Sequence, residues 1–91
     1  MSFSGEAKEV VLHFVYLIVS ISHPDQRHVG STSNLRARLK AHNSGCSPHT
    51  SKYRPWRIVT YLAFSSQLQA EAFERYLKSG SGHAFARKRL W

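Results

Sequence analysis

The feature that most constrains this chain is an apolar run, VVLHFVYLIVSI, that extends from Val10 to Ile21. It is rich in Val, Ile, Phe and Tyr, which favour extended backbone, so we expect a β-strand from Val11 to Ile21. The run is too short to span a bilayer and contains a histidine. It also has no charged leader and no small-residue cleavage site, so the sequence predicts neither a signal peptide nor a membrane span.

Turn and cap residues divide the next part of the chain. The pair Pro24-Asp25 predicts a turn, and a second, short strand from Arg27 to Ser31 would then pair antiparallel with the first. A first helix follows, with Ser33 as its N-cap and Gly45 as its C-terminal stop.

The remaining third of the chain contains one more strand and two helices. A third strand is predicted at residues 57–64, after a basic and aromatic loop. Ser66 and Gln69 form a capping-box pattern that opens a second helix, which continues to about Lys78. The segment SGSG at residues 79–82 would break the chain before a short terminal helix. The order β-β-α-β-α-α indicates an α+β fold with a three-stranded antiparallel sheet flanked by helices.

Length and cysteine content bound the domain organisation. We expect one domain over residues 11–91, preceded by a flexible polar extension over residues 1–10. The apolar content of 42% suits a single compact core. The single cysteine, Cys46, excludes an intrachain disulfide and fits a reducing, cytoplasmic compartment.

The charge is strongly positive and unevenly distributed. Thirteen Lys and Arg residues against five Asp and Glu residues give a net charge of +8. From residue 27 to residue 91 there are twelve basic residues and two acidic ones, Glu71 and Glu74, a net charge of +10. Such a domain is typical of nucleic-acid binding, with a membrane surface or an acidic protein as alternative partners.

On a helical wheel, the first predicted helix buries Leu35 and Leu39. Arg38 and His42, four residues apart, lie along one edge of this apolar stripe, so both would be partly covered. An arginine at that position needs an anionic partner, because a buried unpaired charge is costly. The partner would be either a protein carboxylate or a phosphate.

The second predicted helix carries the two carboxylates of the basic region. Glu74 lies beside the apolar face of this helix, whereas Glu71 points away from it. Glu74 can therefore line the same groove as Arg38 and hold Mg²⁺ through one ligand, with water and a substrate phosphate completing the shell. The alternative is that these are surface ion pairs, Glu71 with Arg75 and Glu74 with Lys78.

The loop SPHTSKYRPW, residues 47–56, mixes cations with Tyr53 and Trp56. This mixture is typical of sites that stack on unpaired bases while following a backbone. Alternatively, Trp56 simply anchors the third strand.

A zinc site is a weaker hypothesis. His42, Cys46 and His49 are residue types that bind zinc, and His28 could be a fourth ligand. However, the spacing H-x3-C-x2-H matches none of the common zinc patterns.

Several of these residues together resemble the GIY-YIG nuclease domain. The resemblance is carried by Tyr16 in the first strand, by His28 to Gly30 in the second, by Arg38 eight residues after that glycine, and by Glu74 in an E-x-x-L-K pattern. It extends from about Phe14 to the end of the sequence. The segments YRPWRIVTY, FERYLKSGSG and AFARKRL are especially similar to small stand-alone members.

The resemblance implies cleavage of a DNA phosphodiester with one divalent metal ion. By motif position, Glu74 would be the metal ligand and Arg38 the residue that contacts the scissile phosphate. Tyr16 corresponds to the tyrosine of the first signature, and His42 to a position that is Tyr or His in relatives. Gly30 corresponds to the glycine of the second signature, where backbone and substrate approach closely.

The sequence departs from the family pattern in three places. The first signature is Phe14-Val15-Tyr16, so its glycine is missing. His28 stands where a tyrosine is expected, and Ser31 replaces a lysine that some relatives carry after the glycine.

The leading hypothesis is therefore a DNA endonuclease that depends on Mg²⁺ or Mn²⁺ and prefers single-stranded or branched DNA, with no membrane and no obligate protein partner. Tyr16 and His28 would share water activation, because a tyrosine with a pKa of about 10 is a poor base whereas a histidine near about 6.5 suits neutral pH. His42 would support a phosphate or a tyrosine. The alternative is a binding module of the same fold that has lost catalysis. The residues expected to contact nucleic acid are Gly30, Ser31, Arg36, Lys40, Lys52, Tyr53, Arg54 and Trp56.

Overall fold

The computed structural model describes residues 11–91, so the extension expected at residues 1–10 lies outside the described residues. Three strands, β1 (His13–Ser20), β2 (Arg27–Thr32) and β3 (Trp56–Phe64), form one antiparallel sheet in the order β2-β1-β3. The predicted three-stranded antiparallel sheet is confirmed. The apolar run forms the central strand, and β2 forms an edge.

The position of β1 explains its continuous hydrophobicity. Successive side chains of a strand point to opposite faces of the sheet, and helices cover both faces here. Val15 and Leu17 pack into one core cluster, while Tyr16 and Ile18 pack into a second cluster on the other face. A strand buried on both faces therefore needs apolar side chains at consecutive positions.

Three helices complete the fold: α1 (Leu35–Ser44), α2 (Gln67–Leu77) and α3 (Gly80–Arg89). Side chains of α1 pack on the Tyr16 face, and side chains of α2 and α3 pack on the Val15 face. A single 3-10 turn (Ser51–Tyr53) lies between α1 and β3. No helix within residues 11–91 has the length and apolarity needed to cross a membrane.

The helix caps agree with the sequence at two positions and differ at one. Ser66 caps α2 by accepting a hydrogen bond from the backbone N–H of Gln69, and Gly45 ends α1 in the left-handed region at φ 84°. The N-cap of α1 is Asn34 rather than Ser33, because the Asn34 side chain accepts from the N–H of Ala37. β2 continues to Thr32, so the helix begins one residue later than predicted.

The sequence analysis expected the whole SGSG segment to lie between two helices. In the structure most of it belongs to α3. Ser79 is the N-cap of α3, its hydroxyl accepts from the N–H of Gly82, and the helix itself begins at Gly80. Gly82 is buried where α3 meets α2, and a Cβ there would collide with the backbone of Tyr76. Gly82 therefore allows the two helices to approach closely.

Gly30 allows a second close approach. It lies directly opposite Tyr16 in the β1–β2 ladder, and a Cβ at residue 30 would overlap the Tyr16 phenol. The phenol cannot easily move aside, because Tyr16 is 2% exposed and its hydroxyl is hydrogen-bonded. Within the chain, the group that approaches Gly30 is thus a tyrosine ring.

We expect Gly30→Ala to lower the free energy of unfolding by about 1–3 kcal/mol, the usual cost of overpacking a core, in urea denaturation. Gly80→Ala is the matched control, since a Cβ at residue 80 meets nothing within 4 Å and alanine favours a helix. An equal loss in both variants would contradict the packing of Tyr16 on Gly30.

Candidate active site

The residues implicated by the sequence lie on both sides of β2, the edge strand. Tyr16 pairs with Gly30 and Ile18 pairs with His28, so His28 projects on the same face as Tyr16. Ser31 projects on the opposite face, toward α2. The site therefore has two halves, one beside α1 and one beside α2, that meet around the edge of the sheet.

In the half beside α1, a chain of hydrogen bonds runs through the core. Arg38 Nε lies 3.3 Å from Tyr16 Oη, Tyr16 Oη lies 2.9 Å from His42 Nε2, and His42 Nδ1 lies 2.7 Å from Thr50 Oγ1. Arg38 and His42 both reach Tyr16 because residues four apart lie on the same side of a helix. Tyr16, His42 and Thr50 are each no more than 2% exposed.

One proton arrangement satisfies every member of this chain. Burial, with a further contribution from the Arg38 cation, lowers the pKa of His42, so its imidazole is neutral at pH 7. We assign the proton to Nδ1, which donates to Thr50, while Nε2 accepts from the Tyr16 hydroxyl. The Thr50 hydroxyl in turn donates to the Ser47 carbonyl oxygen at 3.5 Å. His42 was expected to contact either a phosphate or a tyrosine, and in the structure it binds the tyrosine, Tyr16.

His28 lies next to this chain. Its ring centroid is 5.1 Å from that of His42 and 6.2 Å from that of Tyr16. Burial and the neighbouring His42 and Lys78 side chains lower the pKa of His28 to about 4, against a smaller opposing effect of Glu74. The expectation of an ordinary pKa near 6.5 was wrong, because the half-buried ring sits among cations. His28 is consequently neutral at pH 7 but only a weak base.

The half beside α2 is centred on the Glu74 carboxylate. Ser31 Oγ donates to Oε1 at 2.7 Å, and Lys78 Nζ pairs with Oε2 at 2.8 Å. Partial burial acts to raise the pKa of Glu74, but the hydrogen bonds from Lys78 and Ser31 and the positive charge of Lys78 outweigh it, and the pKa is lowered. Glu74 is therefore ionised at neutral pH, and its predicted pairing with Lys78 is present.

The donor set fits a hard divalent cation better than zinc. Glu74 offers an ionised, half-buried carboxylate at the edge of a cationic surface, which suits Mg²⁺ held by one protein ligand and substrate oxygens. No group of three His, Cys, Asp or Glu side chains that could hold a metal occurs within residues 11–91. The zinc alternative at His42, Cys46, His49 and His28 is thus not supported by the arrangement of these side chains.

Comparison with known proteins identifies the fold and the domain type. The family model described as "GIY-YIG catalytic domain" matches residues 12–88. The chain belongs to the GIY-YIG family. The resemblance seen in the sequence is therefore confirmed, and this chain is a GIY-YIG nuclease domain.

Three relatives of this GIY-YIG domain differ in size. The UPF0213 protein CPE1444 of Clostridium perfringens is 31% identical over 68 residues, covering 74% of this chain and 71% of that protein. A homolog of the structure-specific endonuclease subunit SLX1 from Giardia intestinalis is 36% identical over 55 residues, covering 56% of this chain but only 15% of that protein. The solution structure of the UPF0213 protein BH0048 from Bacillus halodurans superposes with a TM-score of 0.50 at 26% identity, covering 85% of this chain and 83% of that one.

Arg38 is placed differently from the expectation. The helical wheel predicted a partly covered arginine, but Arg38 is exposed and only its Nε reaches inward, to the Tyr16 hydroxyl. Within the described range, 11–91, it forms no ion pair with a carboxylate, since the ion pair there joins Lys78 and Glu74. The end of the guanidinium is therefore free to meet an anion.

The predicted nucleic-acid contacts fall into two groups. Arg36, Lys40, Lys52 and Arg54 are exposed cations, although Arg54 also packs against Gly45 at the end of α1. Ser31 is engaged with Glu74, as described above. Contact of these residues with nucleic acid remains a prediction.

The aromatic part of the loop 47–56 does not match its predicted use. Trp56 is 4% exposed, and its indole N–H donates to the Thr50 carbonyl oxygen at 2.8 Å, so it cannot stack on a base. The alternative interpretation holds, because Trp56 begins β3 and packs in the core with Tyr16. Tyr53 is half-buried and packs edge-on against His23 at 5.2 Å.

Sequence reasoning missed Thr50 as a member of the site. Its hydroxyl accepts a hydrogen bond from His42 Nδ1, and its carbonyl oxygen accepts one from the Trp56 indole N–H. Thr50 therefore links the site to the core. Thr50 belongs to no signature and lies in an irregular segment. The loop composition gave no signal for it.

The lowered pKa of His28 makes stability depend on pH. The unfolded chain protonates this imidazole near 6.5, whereas the folded chain does so near 4. Between these pH values the unfolded state binds more protons, so the free energy of unfolding falls as the pH decreases through that range. We expect His28→Gln to lose less stability than the parent between pH 7 and pH 5 in urea denaturation.

The pKa of His42 is also lowered, so the His28→Gln variant will still lose part of its stability as the pH decreases. His49→Gln is the control, because it removes an exposed imidazole and relieves no burial. Identical losses in the parent and in His28→Gln would show that His28 is not the group responsible.

Proposed function

We propose that this GIY-YIG domain is a metal-dependent endonuclease that hydrolyses DNA phosphodiesters. The observation that carries the proposal is the meeting, at one sheet edge, of an arginine with an open guanidinium end, a neutral imidazole and an ionised carboxylate. These are Arg38, His28 and Glu74. Hydrolysis requires these three functions: charge neutralisation at the phosphate, a proton acceptor for water, and support for the leaving oxygen.

In the proposed reaction, His28 and Tyr16 share the activation of water. His28 is neutral, and its ring is only half-buried, so water can reach it. The phosphates of a bound strand raise its pKa, because a nearby negative charge favours the imidazolium. The Tyr16 hydroxyl is buried, donates to His42 Nε2 and accepts from Arg38 Nε, so Tyr16 contributes by holding these two side chains beside His28.

Arg38 and Glu74 act on the phosphate. Arg38 donates to the scissile phosphate and neutralises the charge that grows there in the transition state. Glu74 would hold the divalent cation, Mg²⁺ or Mn²⁺, which supplies positive charge near the phosphate when bound. Lys78 pairs with Oε2 of Glu74 and Ser31 donates to Oε1, so a cation held by Glu74 would compete with these two partners for the carboxylate.

Three observations bear on whether the DNA substrate is single-stranded or branched. A relative is named as a structure-specific endonuclease subunit, which supports branched DNA as the substrate. The basic surface suits any DNA backbone. The burial of Trp56 removes the aromatic stacking that favoured single strands, so branched DNA is the form that we propose.

The second candidate is a DNA-binding module without catalysis. It is favoured by one observation, the pKa of about 4 at His28, which makes this residue a weak base before substrate binds. Cleavage and binding are separated by the first experiment below.

We expect Glu74→Gln to reduce cleavage of a labelled flap substrate by at least about 100-fold in Mg²⁺ or Mn²⁺, because the amide keeps the shape but loses the charge. Glu71→Gln is the matched control on the same helix, since Glu71 bonds only the Gln67 side chain. Cutting that persists in Glu74→Gln would overturn the site. Absence of cutting by the parent, with binding retained, would favour the binding module.

A second expectation concerns Thr50. Thr50→Val keeps the volume but removes the acceptor of the His42 Nδ1 proton. We expect the cleavage rate to fall about 10- to 100-fold, the cost typical of removing a group that orients a functional histidine. The pH–rate profile should also shift, and Thr50→Ser should restore both. An unchanged profile in Thr50→Val would exclude the hydrogen-bond chain from the reaction.

A further inference from the structure

A second feature adjoins the site, a cavity of about 260 Å³ beside β2, on the side of the sheet that carries α2 and α3. His28, from β2, lines this cavity and also contacts His42, so the cavity opens next to the proposed reaction centre. Its volume equals that of roughly nine waters in the liquid, at ~30 Å³ each, which is enough for a phosphate and its sugar.

The lining of this cavity is cationic. Arg27, Lys78 and Arg87 contribute three positive charges, His83 is a further cationic candidate, and no lining residue is acidic. In the part of the chain that the structure describes, Lys78 is the one of these cations that forms an ion pair, with Glu74. Like charges held around a small volume repel one another, and an anion placed between them removes that repulsion.

Two of the cations are held in position by the fold. The guanidinium carbon of Arg27 lies 4.9 Å from the centroid of the Trp91 ring, a cation–π contact that orients the planar group. The backbone N–H of Trp91 donates to the Ala86 carbonyl oxygen at 2.9 Å, which holds Trp91 at the end of α3. Lys78 is held by Glu74. Arg27 and Lys78 are exposed side chains, but each has a partner at the wall of the cavity.

We propose that this cavity binds a phosphate of the DNA strand adjacent to the scissile phosphate. The proposal rests on the nuclease function above and specifies how the strand is held. The ligand is a phosphate rather than a base, because the lining is cationic and guanidinium groups match phosphate oxygens in geometry, while Arg27 already lies over the Trp91 ring. The phosphate is either a backbone diester or the monoester at a strand end.

The test measures binding without cutting, so that its failure is distinct from failure of the nuclease proposal. In EDTA, binding of a labelled single-stranded oligonucleotide is measured between about 50 and 200 mM salt. We expect Arg87→Gln to weaken binding about fivefold or more at the lower salt and to reduce the slope of log K against log salt by about 0.7, the value for one lost phosphate contact on a single strand.

Arg89→Gln is the matched control, because Arg89 is an exposed cation on the same helix that does not line the cavity. It should leave affinity and slope close to those of the parent. Equal effects of Arg87→Gln and Arg89→Gln would overturn the proposal, since the helix would then act as a general basic surface.

A second measurement locates the contact and identifies the phosphate. Thymidine 5′-monophosphate provides a monoester, the dinucleotide TpT provides a diester, and thymidine provides neither. We expect saturable NMR shifts of the Trp91 indole N–H with the monoester or the diester and none with thymidine. A stronger response to the monoester assigns the cavity to a strand end, and a stronger response to TpT assigns it to the backbone. No saturable shift with either phosphate would overturn the proposal.

Discussion

The packing of the Tyr16 ring on Gly30 joins the core of this domain to its chemistry. Tyr16 lies in the central strand, surrounded by apolar neighbours, yet it carries a hydroxyl that must be hydrogen-bonded because a buried unpaired polar group is costly. Gly30 leaves the space in which the ring can lie, and α1 then brings His42 and Arg38 to the hydroxyl. The Tyr16 ring that packs on Gly30 thus also binds the two α1 side chains of the candidate site.

The edge position of β2 has a second consequence. Because β2 lies at the edge of the sheet, groups from its two faces can meet around it, whereas a central strand would separate them. His28 reaches the edge from the side of α1, and Ser31 holds Glu74 on the side of α2. Burial of the His28 ring is the largest cause of its lowered pKa, and His42, Lys78 and Arg38 lower it further. The electrostatics of the site follow from the strand order.

The fold could be predicted from the sequence because its signals are local. The apolar run, the Ser66 cap and the Gly45 stop each determine structure over a few residues, and the structure agrees with them. Arg38 and Glu74 could be proposed from the sequence as site residues because they combine charge with helical spacing. The burial of Trp56 and the bond from His42 to Thr50 could not be predicted, because both depend on how an irregular loop packs on a distant strand. The boundary at SGSG was missed because contact between α2 and α3, rather than propensity, requires Gly82.

The replacement of a tyrosine by His28 is best understood through charge. A tyrosine in this place would have to lose a proton and become an anion, which the surrounding cations favour. A histidine gains a proton and becomes a cation, which its burial and the same cations both oppose, and burial is the largest single cause of the pKa of about 4. In the proposed reaction the opposition is relieved when phosphate enters, since each bound phosphate neutralises part of the field of Arg38 and Lys78. In this proposal His28 becomes a stronger base when the strand is bound. The substitution therefore couples base strength to substrate binding, which an unperturbed tyrosine would not do in the same sense.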